Sequence, residues 1–141
     1  MKISIINGPN LNLLGKREPG VYGHTDFETF LSALKGKFTD IDFSYFQSNV
    51  EGELINELQR TGFDFDGIVL NPGGYTHTSV AIGDAIAAIT TPVIEVHISN
   101  IHAREDFRKI SHVSAKVAGT ISGLGLKGYA LAVEYLSTLP R

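Results

Sequence analysis

The sequence contains no cysteine and no tryptophan, and it has one methionine among 141 residues. The absence of cysteine excludes disulfides, thiolate metal sites, iron–sulfur clusters and a cysteine nucleophile. No apolar run approaches the roughly 18–20 residues of a membrane-spanning helix. No basic cluster marks a surface that binds nucleic acid. We therefore expect a soluble, cytoplasmic protein that binds neither membranes nor nucleic acid.

The composition is typical of a folded globular protein. Hydrophobic residues make up 43% of the chain, charged residues make up 19%, and the formal net charge is −3. A chain of this length buries about two thirds of its unfolded surface, so it needs no covalent cross-link to fold. It is too short for a (β/α)8 barrel, which usually takes about 250 residues. We expect one domain over residues 1–141.

Short apolar runs alternate with amphipathic stretches along the chain. Strands are predicted at residues 2–7, 41–47, 67–71, 93–97 and 116–122. Helices are predicted at 25–38, from a cap at 48–51 to about 61, at 76–89 and at 124–136. Thr25 and Glu28 resemble a capping box for the first helix. The alternation predicts parallel strands joined by right-handed crossovers.

This pattern favours an α/β fold of the flavodoxin-like type. We expect a three-layer sandwich around a five-stranded parallel sheet with strand order 2-1-3-4-5. In such sheets ligands bind beyond the carboxyl ends of the strands, near the point where the strand order reverses. The connection over residues 7–24 is far longer than the about 2–6 residues usual in an α/β unit. Because it holds several glycines and lies at the ligand edge, we predict that it is an active-site lid.

The segments after strands 1, 3 and 4 are unusually polar. Amide, hydroxyl, imidazole and guanidinium groups together suit a small, hydroxylated, anionic ligand better than a nucleotide or a metal ion. Asn71 ends a buried strand, where an amide must find polar partners, so we interpret it as a ligand-binding residue. His97 ends strand 4, and Glu95 lies on the same face, where it could orient or charge the imidazole.

Two motifs point to other functions only weakly. Residues 123–128 match G-x-G-x-x-G, but no second strand with an acidic residue follows at about 20 residues, as a dinucleotide site requires. We interpret them as a tight turn before a closely packed helix. The five histidines include no H-E-x-x-H motif, and His97 and His102 lack a third ligand at useful spacing. We therefore expect no metal site.

Arg17 and Tyr22 lie on the same predicted lid. A free tyrosine has a pKa near about 10 and is a poor base at neutral pH. A neighbouring guanidinium, which stays charged, favours the phenolate. A closing lid could therefore deliver a tyrosinate base, with His97 as the complementary general acid. This pair suits proton abstraction beside a carbonyl followed by loss of a hydroxyl.

In these segments the sequence resembles the type II 3-dehydroquinate dehydratases. The matching motifs follow one another over nearly the whole chain: Gly8–Gly15, Arg17-Glu18-Pro19, Tyr22-Gly23, Asn71–Ala81, Glu95–Asn100, Arg104–Phe107 with Arg108, and Gly128-Tyr129. The resemblance implies a flavodoxin-like catalytic domain that converts 3-dehydroquinate to 3-dehydroshikimate without metal or organic cofactor. The reaction would serve the shikimate pathway to aromatic amino acids or the breakdown of quinate.

The resemblance also implies a role for each site residue. Tyr22 would accept the proton beside the ketone, Arg17 would keep Tyr22 ionised and stabilise the transition state, and His97 would protonate the departing hydroxyl. Asn12 would position a water near the enolate. The other residues would bind substrate: Asn71, His77 and Arg108 through its hydroxyls, Ile98 and Ser99 through its carboxylate, and Asp84 in the site of a neighbouring subunit. The last role follows because the family forms trimers grouped into dodecamers.

One position departs from the family pattern. Many members have arginine immediately before the aspartate of the third helix, whereas this chain has Gly83 before Asp84. Glycine within a helix costs about 0.5–1 kcal/mol relative to alanine, so we expect Gly83 to permit close packing. Two other functions stay open. One is a non-catalytic module that binds a small polyhydroxy acid or phosphate, and the weaker one is a nucleotide-binding protein.

Overall fold

The computed structural model describes residues 1–16 and 18–141, and for Val21 and Tyr22 it describes the backbone alone. Within this part of the chain, five strands form one parallel sheet in the order β2-β1-β3-β4-β5. The strands are β1 (Lys2–Asn7), β2 (Asp42–Gln47), β3 (Gly67–Asn71), β4 (Val93–His97) and β5 (Gly119–Ser122). The α/β class and the strand order predicted from the sequence are confirmed.

Helices α2 (Phe27–Lys37), α3 (Glu51–Thr61), α4 (Val80–Ala88) and α5 (Lys127–Ser137) cover the two faces of the sheet, and the short helix α1 (Pro19–Tyr22) lies in the connection between β1 and α2. Apolar residues of α2 and α5 pack with one set of strand residues that includes Ile3 and Val96. Apolar residues of α3 and α4 pack with the other set, which includes Ile6 and Leu70. The alternation of side chains along each strand therefore produces two cores, one on each side of the sheet.

The register of the sheet brings the polar ends of several strands together. Asn7 at the end of β1 lies beside both Gln47 and Asn71. His97 at the end of β4 pairs with Ser122 at the end of β5. Because all the strands are parallel, these residues meet at one edge of the sheet, as the sequence predicted.

Three helix starts and two strand starts differ from the predictions, of which the smallest difference is in β2, which begins at Asp42 rather than residue 41. The capping box at Thr25 is wrong, because the Oδ1 atom of Asp26 accepts the cap hydrogen bond from the Thr29 amide at 2.8 Å. Residues 73–77 form a 3-10 turn, and α4 begins only after Ser79, whose hydroxyl caps the Ile82 amide at 2.9 Å. β5 begins at residue 119 rather than 116, and α5 begins at residue 127 rather than 124.

Gly83 lies buried in the middle of α4, and the segment that precedes β5 passes directly over it. A Cβ atom added there would lie 2.3 Å from the carbonyl oxygen of His112. The close packing expected at this glycine is confirmed. Gly128 has a similar role at the start of α5, since its Cβ would lie 3.2 Å from Val96 Cγ1. Gly123, with a φ of +88°, makes the turn before that helix.

Candidate active site

A pocket lies at the carboxyl ends of β1, β3 and β4, where the sheet topology predicts a ligand site. We call it the strand-end pocket. It is lined by Pro9, Asn10, Leu11, Asn71, Gly73, Gly74, His77, His97, Ile98, Ser99, Ile101, Arg104 and Arg108. It therefore brings together the predicted site residues that follow β3 and β4.

Asn71 is held in a chain of buried polar groups. Its Nδ2 atom donates to the hydroxyl of Tyr129 at 2.9 Å, and its Oδ1 atom accepts from the Gly73 amide at 3.1 Å. The Tyr129 hydroxyl in turn donates to Asn7 Oδ1 at 2.7 Å. Burial raises the pKa of Tyr129, so its side chain remains a neutral hydroxyl. Because Nδ2 carries two hydrogens, Asn71 keeps one to donate to a ligand.

His97 and Glu95 form a buried pair on β4. The Nε2 atom of His97 hydrogen-bonds the Glu95 carboxylate, whose side chain is fully buried, so the predicted pairing is confirmed. Burial favours the neutral acid, but hydrogen bonds from His97, Ser114 and Thr120 and the His97 charge outweigh it. These contacts hold the pKa of Glu95 below its usual value. With Nε2–H directed at the carboxylate, Nδ1 is the atom of His97 that can exchange a proton with a ligand.

His77 is fixed by a backbone carbonyl. Its Nδ1 atom lies 2.7 Å from the carbonyl oxygen of Ile110, and because a carbonyl only accepts, Nδ1 carries the hydrogen. Burial lowers the pKa of His77, and the nearby charges of His97 and Arg108 lower it further. The neutral ring therefore presents Nε2 as an acceptor, which suits a hydroxyl group of a ligand.

Two arginines bring positive charge to the strand-end pocket. Arg108 donates from Nε to the carboxylate of Glu105 at 2.5 Å, a contact that lowers the pKa of Glu105. Arg104 donates from Nη1 to the hydroxyl of Ser99 at 3.2 Å. Arg104 follows β4 in the same segment as Arg108 and lines the same pocket, although the sequence pattern predicts no role for it. Guanidinium groups of this kind bind carboxylates well.

The structure does not bring every predicted residue to this pocket. Asn12 is exposed in a neighbouring depression with Lys16 and Gln47, whose amide lies 3.5 Å from Asn12 Oδ1. Asp84 is exposed on α4 and does not line the strand-end pocket. Arg17 and the side chain of Tyr22 lie outside the described residues, so their pairing stays a prediction.

Some residues of the site gave little signal in the sequence. Tyr129 sits among apolar residues of α5 at helical spacing, so the pattern marks it as core. Ser114 lies in a polar connection with no motif of its own. Both reach site residues that are distant along the chain, Asn71 and Glu95. Over the described residues, no group of three or more histidine or acidic side chains could hold a metal ion, and no helix is long and apolar enough to cross a membrane.

Comparisons with known proteins agree on one family. A family model described as "Dehydroquinase class II" matches residues 1–137. A 3-dehydroquinate dehydratase of Fusobacterium nucleatum is 55% identical over 141 residues, which cover 96% of each chain. One of Thermotoga petrophila is 49% identical over 138 residues, which cover 96% of this chain and 94% of that protein.

Solved structures show the same similarity. The crystal structure of a type II dehydroquinase from Butyrivibrio crossotus superposes with a TM-score of 0.94 at 46% identity and covers 98% of both chains. That of a type II dehydroquinase from Propionibacterium acnes gives a TM-score of 0.92 at 42% identity, over 98% of this chain and 97% of the other.

Proposed function

Because the chain belongs to the class II dehydroquinase family, we propose that its strand-end pocket is where 3-dehydroquinate is dehydrated to 3-dehydroshikimate. The protein is a carbon–oxygen lyase, and the family acts in the shikimate pathway. The observation that carries the proposal is the buried Glu95–His97 pair, which ends in a pocket lined by two arginines and an oriented amide. A proton donor beside groups that bind hydroxyls and a carboxylate is what this reaction needs.

Substrate binding is assigned to residues of the segments after β3 and β4. Asn71 donates to one substrate hydroxyl, neutral His77 accepts from another, and Arg108 donates to a third. Ile98 and Ser99 bind the carboxylate through backbone N–H groups and the serine hydroxyl. The contact of Arg104 with Ser99 supports this assignment, because it places a positive charge beside the carboxylate site.

The proposed reaction has two steps. Tyr22, kept ionised by Arg17, takes a proton from the carbon beside the ketone, and the electron pair moves into the carbonyl to form an enolate. When the enolate collapses, the bond from carbon to the hydroxyl breaks, and His97 gives its proton to that oxygen so that water leaves. Asn12 holds a water near the enolate. Glu95 compensates the positive charge of the protonated imidazole.

The direct test is to add 3-dehydroquinate to the purified protein in the presence of a chelator and to follow absorbance of the conjugated enone product. Turnover is expected, and Tyr22→Phe and His97→Ala should each abolish most of it while leaving ligand binding largely intact. Binding of 3-dehydroquinate with no product from the unsubstituted protein would contradict the proposal. That result would favour the non-catalytic binding module instead.

We extend the proposal to the chain as a whole, as one catalytic domain in which residues 7–24 are a lid over the strand-end pocket. We also propose a homododecamer built from trimers, in which Asp84 reaches the site of a neighbour. The exposure of Asp84 on α4, away from its own pocket, supports this arrangement. Light scattering measures the assembly, and cell fractionation tests the proposed cytoplasmic location.

A further inference from the structure

The segment over residues 110–114, which we call the serine strap, contacts His77 directly and contacts Glu95, the partner of His97. The Ile110 carbonyl accepts from His77 at 2.7 Å. The Ser114 hydroxyl lies 2.8 Å from the Glu95 oxygen that does not bind His97. We propose that Ser114 is a positioning residue for the acid step, acting on His97 through Glu95. The inference rests on the proposed function, in which His97 is the acid.

The hydrogen bonds that link Ser111, Ser114 and Glu95 all donate in the same direction, toward Glu95. The Ser111 oxygen accepts from the backbone amides of Val113 at 3.1 Å and Ser114 at 2.9 Å, so both its lone pairs are used. Its hydroxyl hydrogen therefore points to Ser114 Oγ, 2.8 Å away. The Ser114 hydroxyl then donates to Glu95, because a carboxylate can only accept. Successive hydrogen bonds in one direction reinforce one another where water is partly excluded, and the contacts of Ser111, Ser114 and Glu95 are part-buried.

The strap has little freedom to move. The His112 amide donates to the carbonyl of Thr76 at 2.9 Å, and the side chain of Val113 is fully buried in the core on the α3 and α4 side. The His112 carbonyl rests on Gly83, where no side chain intervenes. These contacts fix the position of Ser114 relative to β4. A fixed donor holds a buried carboxylate in one orientation and so orients the imidazole bound to it.

The Ser114 hydroxyl also helps His97 to keep Glu95 ionised, because its hydrogen bond favours the carboxylate. The contact from Thr120 on β5 is longer, at 3.4 Å, so Ser114 is the stronger of the two hydroxyl donors. Within the described part of the chain, the titratable group in contact with Glu95 is His97, and His77 is close enough to respond to the charges of Glu95, His97 and Arg108. Without the Ser114 hydroxyl, Glu95 takes up a proton at a higher pH than it does now.

The test compares Ser114→Ala with Ser114→Thr, which keeps the hydroxyl, and with Ser137→Ala, which removes a serine hydroxyl bonded to a helix carbonyl far from the site. We expect Ser114→Ala to lower kcat about tenfold with KM within about twofold. As the pH is lowered, the kcat of Ser114→Ala should begin to fall at a higher pH than the kcat of the unsubstituted enzyme. Ser114→Thr should restore most of kcat, and the Ser137 variant should match the unsubstituted enzyme.

An isotope effect identifies the step that is slowed. With substrate deuterated at the carbon that loses its proton, the isotope effect on kcat should shrink in Ser114→Ala, because loss of water then limits turnover more strongly. The proposal would be overturned if Ser114→Ala had the same kcat, the same loss of kcat at acid pH (the acid limb) and the same isotope effect as the unsubstituted enzyme. Should Ser114→Ala fail to fold, Ser111→Ala, which removes the donor to Ser114 together with the acceptor of the Val113 and Ser114 amides, is expected to shift the acid limb in the same direction.

A measurement without substrate separates this inference from the proposed function. In proton NMR the His97 Nε2–H bonded to a carboxylate should give a strongly downfield signal that Glu95→Gln removes. Ser114→Ala should move that signal, and Ser137→Ala should not. A moved signal in a protein that does not dehydrate 3-dehydroquinate would contradict the proposed function alone. An unmoved signal in an active enzyme would contradict the role of Ser114 alone.

Discussion

At the residue scale, Tyr129 links the core to the substrate-binding edge. Its hydroxyl is wholly buried and bonds two amides, those of Asn7 and Asn71. Tyr129→Phe would leave an acceptor and a donor without a partner, which costs about 1–3 kcal/mol of the free energy of unfolding. Because Asn71 also loses its orientation, we expect KM to rise severalfold. Urea unfolding and steady-state kinetics measure the two effects.

Tyr135→Phe is the matched control, because Tyr135 lies on the same helix with 48% of its surface exposed. It should change neither stability nor KM appreciably. A Tyr129→Phe enzyme that is less stable but has an unchanged KM would show that Asn71 does not depend on this hydroxyl.

The site residues that could be predicted from the sequence are those at strand ends. Asn71 and His97 each follow an apolar run, and in a parallel sheet that position faces the ligand edge. Tyr129 and Ser114 could not be predicted in this way. Their functional contacts join segments that are far apart in the chain. The residue spacing within one segment does not indicate which distant side chain it contacts in the folded protein.

At the element scale, Gly83 couples α4 to the serine strap. Gly83→Ala should improve the helix propensity of α4, yet its Cβ would meet the His112 carbonyl at 2.3 Å. Overpacking of this kind typically costs about 1–3 kcal/mol, which exceeds the gain of about 1 kcal/mol from replacing glycine in a helix. We therefore expect a net loss of stability by urea unfolding. A lower kcat should accompany it, because the strap moves.

Gly52→Ala provides the comparison. Gly52 lies in α3, and its added Cβ meets nothing within 4 Å. That variant should be more stable by about 0.5–1 kcal/mol, because only the propensity term operates. Equal stabilisation by both substitutions would mean that the serine strap moves away from a methyl group on α4 without a measurable energetic cost.

The element order could be predicted from the sequence, and the element boundaries only in part. The apolar runs of β1, β3 and β4 are bounded by polar residues or proline, and their limits match the structure. The starts of α2 and α4 were misplaced because several neighbouring residues can cap a helix. In each case the tertiary structure selected one, Asp26 and Ser79. Gly83 could be identified as a packing position, but its partner His112 could not.

At the scale of the whole molecule, stability should fall in acid in two stages. The pKa of His77 is lowered by burial and nearby charge from 6.5, so below that pH the unfolded chain binds more protons than the folded one. The pKa of Glu95 is also lowered, from 4.5, by hydrogen bonds that outweigh its burial. The contribution of Glu95 to the free energy of unfolding is therefore complete above pH 4.5, and it is lost as the pH falls through the lower pKa that Glu95 has in the folded state.

Urea unfolding at a series of pH values checks this prediction. The unsubstituted protein should lose stability below about 6.5 and more steeply below about 4.5. Glu95→Gln should be less stable at neutral pH and should have a shallower loss in the more acid range. A Glu95→Gln profile parallel to that of the unsubstituted protein would show that this carboxylate does not govern acid unfolding.

The proposed trimer makes the active site a property of the assembly, which a mixing experiment can test. Asp84→Ala and His97→Ala chains should each be nearly inactive alone, since each lacks one group in every site. If Asp84 acts in a neighbour's pocket, mixed trimers contain sites that take His97 from one chain and Asp84 from the next. In a closed ring of randomly mixed chains at equal amounts, about a quarter of the sites are complete.

Dissociating the two variants together in mild denaturant and diluting them should therefore recover about a quarter of the unsubstituted activity. Treating each variant alone in the same way controls for recovery during refolding and should recover nothing. If Asp84 served the pocket of its own chain, every mixed site would still lack one group, and mixing would leave activity at the level of the separate variants. Because Asp84 lies exposed on α4 and outside the pocket of its own chain, the recovery is the expected result.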